Sequence, residues 1–244
     1  MSDMRVVKLQ VPVSQEDVDN LEQGDIVYLS GVIYTAREVV YQRVLEKNEA
    51  LPVDIASISN VNFHCSPAAS PNDKGGYDVG AVTATASFRF GKWMNDWFET
   101  SQAKIIIGKG GMPEKTYRDV FMPHGARYLS TVGYGAGALL GRGIKRVKDV
   151  HWLEENGIAQ AMWIFEVDDI GPFIVDNDRE GNSLFVKHEQ LVNVKLEKLY
   201  EGLKPPALKR YGETTNRGDE VIGEPDLQPI RIINTRSPSR SEDS

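Results

Sequence analysis

Cysteine is almost absent from this sequence, since Cys65 is the only one in 244 residues. A single thiol cannot form an internal disulfide, which is typical of a protein in a reducing compartment. Long apolar runs are also missing, and none approaches the roughly 20 residues that a membrane span requires. The first residues lack the apolar segment of a secretory signal peptide. We therefore expect a cytoplasmic protein with no membrane partner.

Positive charge is in deficit as well. The chain has 28 Lys and Arg against 35 Asp and Glu, which gives a net charge of −7 and a pI near 5.2. This balance argues against a nucleic-acid partner and against a membrane-surface binder. With 41% hydrophobic residues, the chain can bury one full core. Any cluster of cations is therefore a local site.

Three basic residues, Arg37, Arg89 and Lys109, each follow an apolar segment where a turn or a Gly-rich loop begins. In an open α/β sheet such strand ends lie at one edge, so the three cations would meet there. Guanidinium and ammonium groups bind carboxylates well. Gly108 and Gly110 flank Lys109 and would let the backbone come close to a ligand. The sequence predicts a pocket for a small polyanion, and a dicarboxylate fits best.

A capping box is predicted just before Arg37. Thr35 is followed by Glu38 at the spacing with which a threonine hydroxyl caps a first helical turn. The helix would hold Arg37 in its first turn and continue to about Lys47. A cation opposes the helix dipole there unless an anion is bound, so this position favours a carboxylate site.

A second helix is predicted around Arg89. Ser87 can act as its N-cap, the helix would cover residues 88–100, and Arg89 would again lie in the first turn. Trp93 and Trp97 recur at helical spacing, so we expect both to pack in the core.

The second half of the folded region mixes strands and helices. Val120–Met122 and Lys148–Trp152 are predicted as strands on either side of a Gly- and Ala-rich helical segment over residues 128–143. Asp176–Gly181 has the composition of a hairpin turn that leads into a further strand.

The composition changes near the C-terminal end. After Tyr200, some forty residues are rich in Pro, Gly, Ser and charged side chains and show no sustained period. We expect a mixed α/β domain over residues 1–203 and an extended tail over residues 204–244.

The segments that carry these cations resemble the β subunit, or C-terminal half, of class I fumarases and L(+)-tartrate dehydratases. The resemblance extends in order over residues 5–190. It is carried by five motifs, at residues 24–37, 84–89, 107–112, 150–152 and 165–175.

The resemblance implies both a fold and an activity. The fold would be a swivelling β/β/α-type domain with a mixed sheet, and the activity the reversible loss of water from a 2-hydroxy dicarboxylic acid. By residue-level correspondence, Arg37, Arg89 and Lys109 would bind the substrate carboxylates and Thr85 would be the general base. The four histidines are scattered without metal-ligand spacing, but His124, at an expected strand end, is a further candidate for the site.

The family also implies a [4Fe–4S] cluster, which usually needs three cysteine thiolates when one iron is left free for substrate. With Cys65 alone, this chain offers no such ligand set. The resemblance therefore implies a separate, cysteine-rich α subunit that holds the cluster, in an αβ or (αβ)₂ complex.

Three alternatives stay open at the level of sequence. The segment Gly133–Gly137 superficially matches a dinucleotide fingerprint, which would indicate a nucleotide-binding oxidoreductase or regulatory domain, although close helix packing also explains its small residues. A non-catalytic anion-binding protein could keep the same pocket. The substrate is also open, because Cys65–Pro67 and Val82–Ala86 differ from the family pattern: fumarate/malate, tartrate and mesaconate/citramalate are all compatible.

Overall fold

The computed structural model describes residues 4–133 and 135–199. Residues up to Lys195 belong to one compact unit. The predicted boundary at residue 203 and the predicted tail lie outside the described residues. Within them, no helix is long and apolar enough to cross a membrane.

Strands and helices alternate along the described chain, so the predicted mixed α/β class is confirmed. The strands are β1 (Val6–Gln10), β2 (Ile26–Tyr34), β3 (Val61–Phe63), β4 (Cys65–Pro71), β5 (Tyr77–Ala84), β6 (Ile105–Gly108), β7 (Arg127–Thr131), β8 (Ile144–His151) and β9 (Met162–Val175).

Helices follow most of the strands, and several of them are short or change pitch. They are α1 (Gln15–Asp19), α2 (Glu38–Tyr41, continuing as a π-helix over Gln42–Glu46), α3 (Ile55–Ile58), a 3₁₀-helix (Ser87–Trp93) that continues as α4 (Met94–Ser101), α5 (Glu114–Thr116, continuing as a π-helix over Tyr117–Phe121), α6 (Ala136–Arg142), α7 (Leu153–Asn156) and α8 (Leu184–Leu199).

Five strands close into a barrel. Strands β2, β3, β6 and β7 are parallel neighbours, and β9 runs antiparallel to both β7 and β2. Strand β1 extends the sheet beside β2, and β8 extends it beside β9. The open sheet assumed from the sequence is therefore wrong. Strand β9 closes it because its 14 residues are long enough to pair with β2, β7 and β8.

Two apolar clusters stabilise this arrangement. One fills the barrel with aliphatic and aromatic side chains such as Val27, Ile105 and Phe165. The other lies between the barrel and the helices and contains both Trp93 and Trp97. The prediction that these two tryptophans pack in the core is confirmed. The parallel strands β3, β6 and β7 are buried on both faces, as covered parallel sheets require.

Two predicted caps are wrong because their hydroxyls bind elsewhere. The Thr35 hydroxyl donates to the Ala161 carbonyl at 3.2 Å and accepts from the Trp163 amide at 3.0 Å, so Arg37 itself occupies the N-cap position of α2. The Ser87 hydroxyl lies in a buried hydrogen-bond network, and Ala86 precedes the 3₁₀-helix instead.

Three predicted segments adopt another structure. Residues 127–131 form strand β7 rather than helix, because residues 127–130 continue the parallel ladder of β6 and Thr131 pairs with β9. Val120 lies in a π-helix rather than a strand. The turn after Asp176 leads into α8 rather than a strand, because the Ser183 hydroxyl and the Leu184 amide both bind back to Asp176.

Candidate active site

The carboxyl ends of the parallel strands β2, β3 and β6 lie at one rim of the barrel. Arg37 follows β2 and Lys109 follows β6. Thr85 follows β5 and lies between them: its amide donates to the His64 carbonyl at 2.6 Å, and its carbonyl accepts from the Lys109 amide at 2.9 Å. We call Arg37, Thr85, Arg89 and Lys109 the rim cluster.

Arg37 is half-buried and incompletely paired. Its Nη1 donates to the Ala159 carbonyl, whereas its Nε is buried and has no partner in the described residues. Burial lowers the pKa of the Arg37 guanidinium, and the positive charge of Arg89 lowers it further. A buried cation without a counter-ion is unfavourable. A bound carboxylate would provide both a partner for the Nε and a counter-ion for the guanidinium.

Arg89 and Lys109 are exposed at the same rim. The Arg89 guanidinium lies 5.5 Å from the centre of the Phe90 ring. In the described part of the chain, Arg37, Arg89 and Lys109 form no salt bridge. Most of the other arginines there form one with an acidic side chain. Three cations without acidic partners produce a local positive field that suits an anion with two carboxylates.

The loop after Lys109 is held in place from below. Gly110 has a φ of 69°, a conformation that glycine adopts readily. A Cβ on Gly111 would lie 2.5 Å from the Asp176 carboxylate, so glycine is needed there too. The Tyr117 hydroxyl accepts from the Met112 amide at 2.8 Å and donates to Asp176. These contacts fix the backbone that presents the Lys109 ammonium.

Thr85 is buried, with 7% of its surface exposed, and its backbone is bonded on both sides. Among residues 4–133 and 135–199, no side chain or carbonyl forms a hydrogen bond with its hydroxyl. The hydroxyl is therefore available to a ligand at the rim.

The other predicted site residues have different surroundings. His124 lies at the opposite end of the barrel, where its carbonyl accepts from Lys104 just before β6, and its ring stacks on Phe98. It does not join the rim cluster. Gly108 lies beneath the rim, and a Cβ there would be 1.8 Å from the Ser87 Oγ. Gly108 thus makes room for a buried hydrogen bond and does not face the pocket.

Sequence reasoning missed His64. This residue is completely buried and hydrogen-bonds to Tyr41 and Ser87, directly below the rim cluster. Its position after the buried strand β3 is the same strand-end signal that identified Arg37 and Lys109. The spacing of the four histidines does not distinguish it from the other three.

Part of the Gly-rich segment packs closely against a neighbouring strand. A Cβ on Gly137 would lie 2.6 Å from the Val82 carbonyl, and one on Gly141 would lie 2.7 Å from the Gly80 carbonyl. Both glycines lie on the face of α6 that contacts β5. The prediction of close helix packing is confirmed for these two glycines, whereas a Cβ on Gly133 or Gly135 would meet nothing within 4 Å.

Metal ligands do not assemble in the described residues, where no group of three or more His, Cys, Asp and Glu side chains could hold an ion. Cys65 is buried, and burial raises the pKa of its thiol, which disfavours the thiolate that binds iron.

A sequence model of the fumarase C-terminus family matches residues 1–188 of this chain. This chain belongs to that family. The whole rim cluster lies within the matched fumarase C-terminus domain, and the resemblance expected from the motifs is confirmed.

Individual relatives agree with the family. The putative L(+)-tartrate dehydratase subunit beta of Methanocaldococcus jannaschii is 34% identical over 190 residues, which cover 77% of this chain and 95% of the relative. The L(+)-tartrate dehydratase subunit beta of Escherichia coli is 28% identical over 184 residues, or 75% of this chain and 88% of the relative. The putative class I fumarate hydratase of Geobacillus stearothermophilus is 33% identical over 204 residues, which cover 84% of this chain and 38% of that longer protein.

Proposed function

We propose that this chain is the β subunit of a hydro-lyase that reversibly removes water from a 2-hydroxy dicarboxylic acid. The observation that carries this proposal is the rim cluster, in which Arg37, Arg89 and Lys109 lie together without acidic partners in the described residues. The names of the relatives, tartrate dehydratase subunit beta and class I fumarate hydratase, support the same reaction class.

The chemistry explains why the rim is cationic. Removal of a proton next to a carboxylate places a second negative charge on that group, and fixed cations stabilise the transition state where this charge develops. Arg37, Arg89 and Lys109 would bind the substrate carboxylates and supply this stabilisation. Because its hydroxyl has no partner among the residues that the structure describes, Thr85 would accept or relay the proton. A threonine can do so only if its proton is passed on or its alkoxide is stabilised by a nearby cation.

The residues of this chain do not fit a [4Fe–4S] cluster. Such a cluster needs several thiolates, whereas the sequence has only Cys65, which is buried and whose pKa is raised. We therefore assign the cluster that the family implies to a cysteine-rich α subunit, in an αβ or (αβ)₂ complex. The part of this chain would be to bind and orient the substrate and to move its proton.

Reconstitution tests this proposal. The chain would be purified alone and with a cysteine-rich α candidate under anaerobic conditions with iron and sulfide. Malate, tartrate and citramalate would be supplied, and absorbance would follow the alkene formed from malate or citramalate and the keto acid formed from tartrate. We expect turnover only by the complex, with one of the three substrates preferred. Stoichiometric iron and sulfide on the chain alone would contradict the assignment of the cluster. Dicarboxylate binding without turnover of any substrate by an iron-loaded complex would favour a non-catalytic anion-binding protein.

A further inference from the structure

A network of hydrogen-bonded, buried polar side chains lies beneath the rim cluster, and His64 is at its centre. The imidazole Nε2 lies 2.7 Å from the Tyr41 hydroxyl, and the Nδ1 lies 2.7 Å from the Ser87 hydroxyl. The Asn62 amide donates to Tyr41 at 2.8 Å, and the Tyr128 hydroxyl donates to Ser87 at 2.9 Å. All five residues are buried.

The backbone of His64 is bonded to two further elements. Its amide donates to the Ile107 carbonyl of β6 at 2.7 Å, and its carbonyl accepts from the Thr85 amide at 2.6 Å. Every polar group of His64 therefore has a partner. Those partners lie on the helix after Arg37, on the turn between Thr85 and Arg89, and on the strand that leads to Lys109. One residue connects the segments that carry all four members of the rim cluster.

The imidazole is neutral in this position. Burial lowers the pKa of His64 to about 3, and the positive charge of Arg37 adds to this effect. A neutral imidazole has one donor and one acceptor nitrogen, which matches two hydroxyl partners. An apolar side chain of similar size would fill the same space but would leave the buried hydroxyls of Tyr41 and Ser87 without this partner.

The residues around His64 leave room for these hydrogen bonds and pack closely on its ring. Gly108 has no side chain at the point where a Cβ would come within 1.8 Å of the Ser87 Oγ and 2.5 Å of the Tyr128 hydroxyl. The Tyr41 ring is also packed edge-on against the His64 ring at 5.9 Å between centroids.

We propose that His64 is a positioning residue, which holds the turn with Thr85 and Arg89 at a fixed place relative to Arg37 and Lys109. The proposal rests on the proposed function, because its value is the alignment of groups that bind and deprotonate the substrate. Misplacement of a reacting group by about 1 Å can lower a rate by roughly 100-fold. Buried, fully bonded supporting residues prevent such displacement.

The test compares two buried serines in the full chain and in its complex with the α subunit. Ser87→Ala removes the 2.7 Å bond to His64. Ser101→Ala removes a 2.7 Å bond to the Trp97 carbonyl, far from the rim, where α4 ends before β6 begins. Both serines are fully buried, and each variant loses more than one hydrogen bond: Ser87→Ala also removes the 2.9 Å bond from the Tyr128 hydroxyl, and Ser101→Ala the 3.3 Å bond from the Ala103 amide. Tyr41→Phe removes the other His64 bond and replaces Ser87→Ala if that variant does not fold.

In the complex, we expect Ser87→Ala to lower kcat/KM about tenfold or more, mainly through kcat, and Ser101→Ala to stay within about threefold of wild type. Amide hydrogen exchange on the full chain provides a readout that needs no activity. The Thr85 and Lys109 amides should exchange about tenfold faster in Ser87→Ala than in Ser101→Ala.

The two readouts separate a failure of the proposed function from a failure of the positioning role of His64. An inactive wild-type complex would overturn the proposed function, while the exchange rates would still test the positioning role. Unchanged exchange at Thr85 and Lys109 in Ser87→Ala, or equal loss of kcat in both serine variants of an active complex, would overturn the role of His64.

Discussion

At the scale of single residues, Arg37 and Thr85 have different surroundings and should have separable roles. Within the described residues, the half-buried Arg37 has no partner for its Nε, and the Thr85 hydroxyl at the rim has none either. We expect Arg37→Ala to raise KM at least as much as it lowers kcat, because a contact to a carboxylate is lost in both ground and transition states. Weaker inhibition by substrate-like dicarboxylates should accompany it.

Thr85→Ala should instead lower kcat strongly with little change in KM, and should suppress exchange of the substrate C3 hydrogen with solvent. Steady-state kinetics and proton NMR of the substrate in deuterium oxide measure the two effects. Normal hydrogen exchange in Thr85→Ala would mean that this threonine only positions the substrate. The base would then belong to the α subunit.

His64 should make folding sensitive to acid. The imidazole pKa falls from 6.5 to about 3 on burial, so between these values the unfolded chain binds a proton that the folded chain does not. The contribution of the neutral His64 imidazole to the free energy of unfolding is fully present above pH 6.5. It is lost as the pH falls, by up to about 1.4 kcal/mol per pH unit. We expect His64→Gln to remove this component from urea unfolding measured between pH 6 and pH 4.

The control for this titration is His188→Gln, because His188 is exposed on α8. It should keep the wild-type dependence of unfolding free energy on pH. An equal dependence on pH in wild type and His64→Gln would show that the buried imidazole does not cause the loss of stability in acid.

At the scale of elements, helix α6 packs closely on strand β5 because its glycines have no side chains. A Cβ on Gly141 would lie 2.7 Å from the Gly80 carbonyl and 2.8 Å from the Ala81 Cα, whereas a Cβ on Gly80 would meet nothing within 4 Å. We expect Gly141→Ala to lower the free energy of unfolding by about 1–3 kcal/mol. Helix propensity alone would raise it by about 1 kcal/mol.

The matched variant Gly80→Ala should leave the free energy of unfolding within about 1 kcal/mol of wild type, or raise it, because alanine costs less backbone entropy than glycine. Denaturant unfolding of both full-length variants decides between these expectations. If Gly141→Ala raises the free energy of unfolding, α6 does not pack closely enough on β5 for an added methyl group to clash.

Local sequence patterns predicted elements well where no distant group competed. Arg37 and Lys109 were placed at one edge because each follows a parallel strand. The Thr35 cap is wrong because its hydroxyl accepts a hydrogen bond from Trp163 of β9, more than a hundred residues away. The network around His64 was not predictable because both side-chain partners lie 23 residues away, one on each side. The sequence pattern of a strand also does not reveal that β9 is long enough to close a barrel.

At the scale of the whole molecule, the barrel presents its cations on one rim. Arg37, Arg89 and Lys109 come from three separate segments of a chain whose net charge is −7. This local concentration of positive charge in an acidic protein supports the proposal that this chain binds the substrate carboxylates.

The most direct measurement is kcat/KM of the proposed complex with an α subunit for the hydroxy dicarboxylate that it turns over best, with Arg89→Ala compared with Arg146→Ala. Arg146 is an exposed arginine on the outer strand β8, and it forms a salt bridge with Glu166 of β9. We expect Arg89→Ala to lower kcat/KM at least about 100-fold, as for loss of a charge contact to a developing anion, and Arg146→Ala to leave it within about threefold. Wild-type kinetics in Arg89→Ala, or an equal loss in Arg146→Ala, would contradict the assignment of substrate binding to this rim.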